Sequence, residues 1–141
     1  MCALCPVARD VDVYVAMARV REMAQRLGFD QADRTRVEIA VLELARNILV
    51  HAGTGELLIE TVAADGRKGI ALEARDHGPG IADIELAMRD GYSTAQTLGA
   101  GLPGVRRLMD EFTIESAVGS GTTVRAVKWL GRKRGIAQGG T

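Results

Sequence analysis

Arg36-Val37-Glu38-Ile39-Ala40-Val41-Leu42-Glu43-Leu44-Ala45-Arg46-Asn47-Ile48 is the stretch from which the rest of the chain can be read. Val37, Val41, Leu44 and Ile48 recur at i, i+4, i+7 and i+11, which is the apolar stripe of a helix packed on a core. Asp30 and Asp33 are candidate N-caps upstream, and Ala52-Gly53 is the expected end. Glu43 and Asn47 are four residues apart, so they stand one above the other on the adjoining stripe, which Arg36 and Ala40 extend. Polar groups so placed lie at the edge of the core, where a cleft can form.

Outward from this helix the pattern changes period. Residues 11–27 form a first helix, with Asp10 and Asp12 at its start and Gly28 beyond its end. Downstream, Glu56–Val62 and Gly69–Arg75 flank Asp65-Gly66 and predict a hairpin. Asp76–Ile81 is a glycine-rich loop, Asp83–Asp90 a short helix, and Gly91–Ala100 a run of small residues expected to act as a lid. Ser93 and Thr94 are read as lid contacts. Gly101–Glu111 returns to helix, with Leu102, Val105, Leu108 and Met109 on one side, and Phe112–Val118 and Thr122–Trp129 predict a second hairpin. Hairpins with helices grouped around them predict an α+β fold: a two-layer α/β sandwich whose mixed, largely antiparallel sheet is covered by helices on one face. Residues 1–130 are expected to be one domain, and 131–141, basic and glycine-rich, a disordered tail.

With 141 residues, 47% hydrophobic and 26% charged, the chain is long enough for one core without staples. Its 18 basic residues balance 18 acidic ones, so there is no bulk field to attract nucleic acid or an anionic membrane, and neither is expected as a partner. No run approaches the ~18 apolar residues of a membrane span, and the start lacks a signal-peptide pattern, so a cytoplasmic location is expected. Cys2 and Cys5 form a lone C-x-x-C with no second pair, which is short of a zinc site and is read as reduced thiols on a frayed end.

Asn47 offers a neutral oxygen suited to a Mg²⁺ ion that keeps several waters and takes other ligands from phosphates. Glu43 is placed to accept a proton from an attacking hydroxyl. Asp76, at a strand end before Gly78 and Gly80, presents an acceptor-only carboxylate that can read the exocyclic amine of adenine, whereas guanine puts a carbonyl oxygen there. Gly99-Ala100-Gly101-Leu102-Pro103-Gly104 leads into a helix, and its amides can cradle phosphate oxygens. It matches G-x-G-x-x-G, but Arg89–Thr94 before it is no strand, which excludes a Rossmann motif. The only lysines are Lys68, Lys128 and Lys133, and none follows a Walker A loop. The lysine strand and His-Arg-Asp loop of eukaryote-like kinases are also missing. Arg106 and Arg107 are either phosphate contacts or a solvated helix face. In Gly119-Ser120-Gly121-Thr122-Thr123 a hydroxyl at a strand start can touch a base. His51 and His77 are given no role.

Taken together, E-x-x-x-N, D-x-G-x-G, G-x-G-x-x-G and G-x-G-T in this order resemble the GHKL or Bergerat ATP-binding fold shared by gyrase, Hsp90, histidine kinases and MutL. ELARN, DHGPGI, DGYST, LGAGLPGVRRLMDEF and GSGTTVRAVKW are similar, over residues 10–130, to the RsbT-type serine-protein kinases, anti-sigma regulatory switch proteins of bacterial stress signalling. The resemblance implies ATP and Mg²⁺ as cofactors, Glu43 as general base and Asn47 as the magnesium holder. It places Asp76 on adenine with Gly78, Gly80 and Ile81 beside it, and Gly99, Gly101, Leu102 and Gly104 in the phosphate loop. Thr122 takes the adenine-side threonine position, with Thr123 adjacent. The implied phosphoacceptor is a serine on a STAS-domain antagonist protein, and a PP2C-type phosphatase is a further partner. The family's first edge strand is expected only over Leu4–Arg9. The rival reading is a non-catalytic, nucleotide-dependent anti-sigma or partner-binding module. The catalytic half of a histidine kinase would need a helical phosphoacceptor domain, and a gyrase-like clamp a far longer chain.

Overall fold

The helix around Glu43 runs from Gln31 to His51 in the computed structural model of the chain, which describes residues 1–81, 84–88 and 101–131. In order the elements are β1 (Cys2–Val7), α1 (Asp10–Leu27), α2 (Gln31–His51), β2 (Gly55–Ala64), β3 (Arg67–Asp76), α3 (Ile84–Ala87), α4 (Gly101–Leu108), β4 (Glu111–Ala117) and β5 (Gly121–Trp129).

Local chemistry sets the helix ends. The Asp12 carboxylate accepts the N–H groups of Ala8 and Arg9 at 2.9 and 3.0 Å, closing the start of α1. Gly28, at φ 93°, ends it: its N–H reaches Ala24 and Gln25 carbonyls, and that of Phe29 returns to Ala24, a Schellman turn. The turn drives Phe29 into the core, and Asp30 then caps α2 by accepting the Asp33 N–H at 2.8 Å. Val37, Val41, Leu44 and Ile48 are all buried, as their spacing predicts. Each buried aliphatic side chain contributes roughly 1.5–3 kcal/mol.

The five strands lie in the order β1-β2-β3-β5-β4, and every described pairing is antiparallel, so the sheet is not mixed. The Asp65-Gly66 turn folds β3 back beside β2 and the turn at Gly119 folds β5 back beside β4, while β1 reaches β2 through α1 and α2 and β5 lies between β3 and β4. Leu57, Ile59, Ile70, Leu72, Ala74, Val124 and Ala126 alternate onto the face that packs against α1 and α2. The opposite face carries a lattice of Glu56, Glu60, Glu73, Arg75 and Arg125, and a small cluster of Val62, Ala71, Val127 and Trp129.

Three expectations need correction. The first strand is Cys2–Val7 rather than Leu4–Arg9, because its register with β2 begins at Cys2 opposite Glu60 and Arg9 already stands at the N-cap of α1. The terminus is therefore not frayed: Cys5 is buried in the core and Cys2 is exposed, and burial pushes the Cys5 thiol up. Finally, α4 stops at Leu108 rather than Glu111, because the Asp110 N–H bonds the Val127 carbonyl at 2.8 Å and its carboxylate accepts the Trp129 N–H at 2.7 Å. The lid over 91–100 and, beyond Gly131, the tail expected over 131–141 lie outside the described residues.

Candidate functional site

Glu43, Asn47 and His51 follow one another at helical spacing along α2, and the loop after β3 and the start of α4 meet the helix along this stretch. At one end Glu43, only 3% exposed, accepts the Gly101 N–H on Oε1 at 3.2 Å, so the first residue of α4 is tied to its carboxylate. At the other end Gly78 lies against Ala52 so closely that an added Cβ would stand 2.6 Å from the alanine Cβ. Asn47, partly buried, lies between these contacts. Arg36, on the upstream extension of the stripe, turns instead to Asp33 at 2.7 Å.

Asp76 is the last residue of β3 and faces the helices, buried to 8% exposure. Its Oδ1 accepts the Gly78 N–H at 2.9 Å, an Asx turn that starts the loop and holds the carboxylate beside it. Directly across the β3–β5 pairing lies Thr122, also buried. Thr123 belongs to the opposite face, opposite Arg75, so of the adjacent threonines Thr122 is the one sharing a face with Asp76. Gly80, at φ 80°, passes so close to the Ala117 carbonyl that no side chain fits there.

Among the remaining candidates, Gly101 has φ 75° at the start of α4, Gly104 lies buried within it, and the Leu102 side chain is in the core. What α4 presents at its beginning is therefore backbone. Ile81 packs against the core and donates its N–H to Ser116 Oγ at 2.7 Å. Gly99 lies outside the described residues. Arg106 and Arg107 face solvent, as does His77.

Sequence reading missed Ser116. In β4, Phe112, Ile114 and Ser116 alternate toward the helices, so a polar residue at the third inward position was the available signal. Its hydroxyl lies 2.7 Å from Thr122 Oγ1 and 3.1 Å from the Gly121 carbonyl oxygen. Lys128 was missed in the same way: it follows Thr122, Val124 and Ala126 on the inward face of β5.

Among the described residues no three His, Cys, Asp or Glu side chains gather to hold a metal. The one neutral amide of Asn47 suits an ion whose other ligands are phosphate oxygens and water, as Mg²⁺ prefers. The loop that opens from the buried Asp76 carboxylate and the first residue of α4 thus both come against α2, on either side of Asn47.

Residues 7–128 match the histidine kinase-like ATPase domain. The chain belongs to this family. It is 51% identical to the serine/threonine-protein kinase RsbT of Bacillus subtilis (strain 168) over 119 residues, which cover 84% of this chain and 90% of that protein. To the anti-sigma F factor of Caldanaerobacter subterraneus subsp. tengcongensis it is 36% identical over 104 residues, 70% of this chain and 71% of that one. Within the histidine kinase-like ATPases it therefore stands with the RsbT-type serine/threonine-protein kinases. The fold is similar to the crystal structure of the RsbU and RsbW domains of Rv1364c from Mycobacterium tuberculosis, with a TM-score of 0.62 at 18% identity. That match covers 92% of this chain and 32% of the other, so this chain spans about a third of that longer one. Among the described residues no helix is long and apolar enough to cross a membrane.

Proposed function

We propose that this member of the family is a cytoplasmic, ATP- and Mg²⁺-dependent serine-protein kinase of a bacterial partner-switching module, acting on a serine of a STAS-domain antagonist protein. The observation that carries the reading is the joining of Glu43 to the Gly101 amide while Gly78 packs on Ala52, which brings the start of α4 and the loop after Asp76 to the helix that bears Asn47. The 51% identity to a protein named as a serine/threonine kinase supports it.

In this reading Asp76 and Thr122 hold the adenine, and the amides from Gly101 onward face the phosphates. Asn47 would hold Mg²⁺ through its side-chain oxygen, and the ion supplies neutralisation of phosphate charge. Glu43 receives the proton of the acceptor serine as its oxygen bonds the terminal phosphorus and the bond to the departing ADP oxygen breaks. Positioning and charge stabilisation supply most of the acceleration, because phosphoryl transfer asks little covalent chemistry of the protein. A PP2C-type phosphatase regulator is a further partner of the same module.

The test offers ATP labelled in its terminal phosphate together with candidate STAS-domain proteins encoded nearby. Label on a serine of one of them, with release of ADP, is the expected result; no label on any of them overturns the kinase reading. The anti-sigma F factor relatives favour a second reading, a non-catalytic module in which nucleotide only shapes the binding surface. It requires nucleotide-dependent capture of a partner with the ATP left intact.

A further inference from the structure

Ser116 stands where four polar groups meet, and counting their protons assigns every bond among them. The Ile81 N–H, 2.7 Å away, can only donate, so it occupies a lone pair of the Ser116 oxygen. The Gly121 carbonyl, 3.1 Å away, can only accept, so it takes the single hydroxyl proton of Ser116. Thr122 Oγ1, 2.7 Å away, must then donate its own proton to the second lone pair of Ser116. Turning the serine proton toward Thr122 instead would forfeit the bond to Gly121, so the first arrangement satisfies one group more. Thr122 is buried and Ser116 half-buried, so that difference favours this orientation.

We infer that Ser116 is a positioning residue that holds the Thr122 hydroxyl as a hydrogen-bond acceptor and thereby sets the purine selectivity of the site. With its proton committed to Ser116, Thr122 presents only lone pairs. Asp76, directly opposite in the β3–β5 register and buried on the same face, is acceptor-only as a carboxylate. Two acceptors side by side suit an exocyclic amine, which carries two protons, and repel a carbonyl oxygen at that place. A Thr122 hydroxyl without Ser116 would rotate and offer its proton to the carbonyl of guanine. The same serine also ties the Ile81 end of the Asp76 loop to β4, so the loop and the threonine keep a fixed relation.

This inference rests on the reading of Asp76 and Thr122 as base contacts, and the experiment separates the two. Dissociation constants for ATP and GTP are measured by calorimetry for the wild type, Ser116→Ala, Ser116→Thr, Thr122→Val, Asp76→Asn and the Ser116→Ala/Thr122→Val pair. Ser116→Ala is expected to lower the ATP:GTP affinity ratio about tenfold, the scale of one mispaired hydrogen bond. Ser116→Thr, which restores a hydroxyl, should recover the ratio, and the double variant should match Thr122→Val alone because both residues act through one bond. A ratio unchanged in Ser116→Ala, or effects that add in the double variant, would overturn the role of Ser116 while leaving the base-reading role of Asp76 standing. No adenine preference in the wild type, or a preference that survives Asp76→Asn, overturns both. If the alanine variant does not fold, Ser116→Cys keeps the volume with a weak donor and acceptor and carries the same expectation.

Discussion

Glu43 and Asn47 are one helical turn apart, yet their losses should be felt at different steps. Glu43→Gln keeps the volume and an acceptor oxygen for the Gly101 N–H, so ATP binding should persist while phosphotransfer falls by ~10² to 10⁴, the usual contribution of a general base. Single-turnover transfer and equilibrium ATP binding on the same sample check this; unchanged transfer would remove Glu43 from the chemistry. Asn47→Ala should behave oppositely, losing the part of ATP affinity that depends on Mg²⁺ and keeping the part that does not. Titrating ATP with and without the ion reads the difference. The roles of Glu43 and Asn47 came from the resemblance, but that they share one face of α2 was legible from their spacing beside a strong apolar stripe. Ser116 was not, because one serine in a short strand gains meaning only when Ile81, Gly121 and Thr122 are brought around it by the turn of the chain.

Among the elements, the β4–β5 hairpin and the start of α1 carry the sharpest consequences. Gly119 and Gly121 both have positive φ, 83° and 92°, but only Gly121 is hemmed in: a Cβ there would meet the Asp76 carbonyl and stand 2.8 Å from His77 Cα. Gly119→Ala should therefore cost only the left-handed backbone, ~1 kcal/mol, whereas Gly121→Ala should cost that and displace the Asp76 loop as well. Thermal unfolding ranks the two, and ATP affinity should fall in the second alone. At α1, backbone bonds from Ala8 and then Arg9 hold the Asp12 carboxyl below its ordinary value of 3.8. A carboxyl whose folded pKa is depressed adds stability above its unfolded value and loses that contribution as pH falls through the folded one. Asp12→Asn should thus melt below the wild type at pH 7, and the gap should close as pH drops below about 3.8; a gap that persists in acid would mean the cap works without its charge.

At the scale of the molecule, Lys128 ties the sheet to the helical layer. Its Nζ lies 3.7 Å from Asp33 near the start of α2 and 3.5 Å from Asp110 between α4 and β4, and it donates to the Leu108 carbonyl at 3.2 Å. Both carboxylates are largely buried, and although Asp33 keeps Arg36 and Asp110 keeps the Trp129 N–H, removing the lysine takes away the cation shared between them. Lys128→Met should cost up to roughly 3 kcal/mol, the low end of the scale for breaking a buried ion cluster, because Asp33 retains Arg36. In urea this appears as a lower midpoint at an unchanged slope, and a midpoint within error of the wild type would show that the cluster is energetically neutral.

The amino-acid order alone determined both long helices, both hairpins and the residues that face one another along α2. Each of these follows from contacts between near neighbours in the chain: caps, turns, and apolar residues repeating every 3.6 or every 2 positions. What waited for the tertiary structure were the relations between distant segments. The pairing of β1 with β2 turned an apparently loose terminus into an edge strand with Cys5 in the core, since a strand of six residues is held by its partner rather than by its own propensity. The register of β3 on β5 chose Thr122 over Thr123 as the residue facing the helices beside Asp76, because a shift of one position reverses a side chain's face, and only the ladder of hydrogen bonds between strands sets that count.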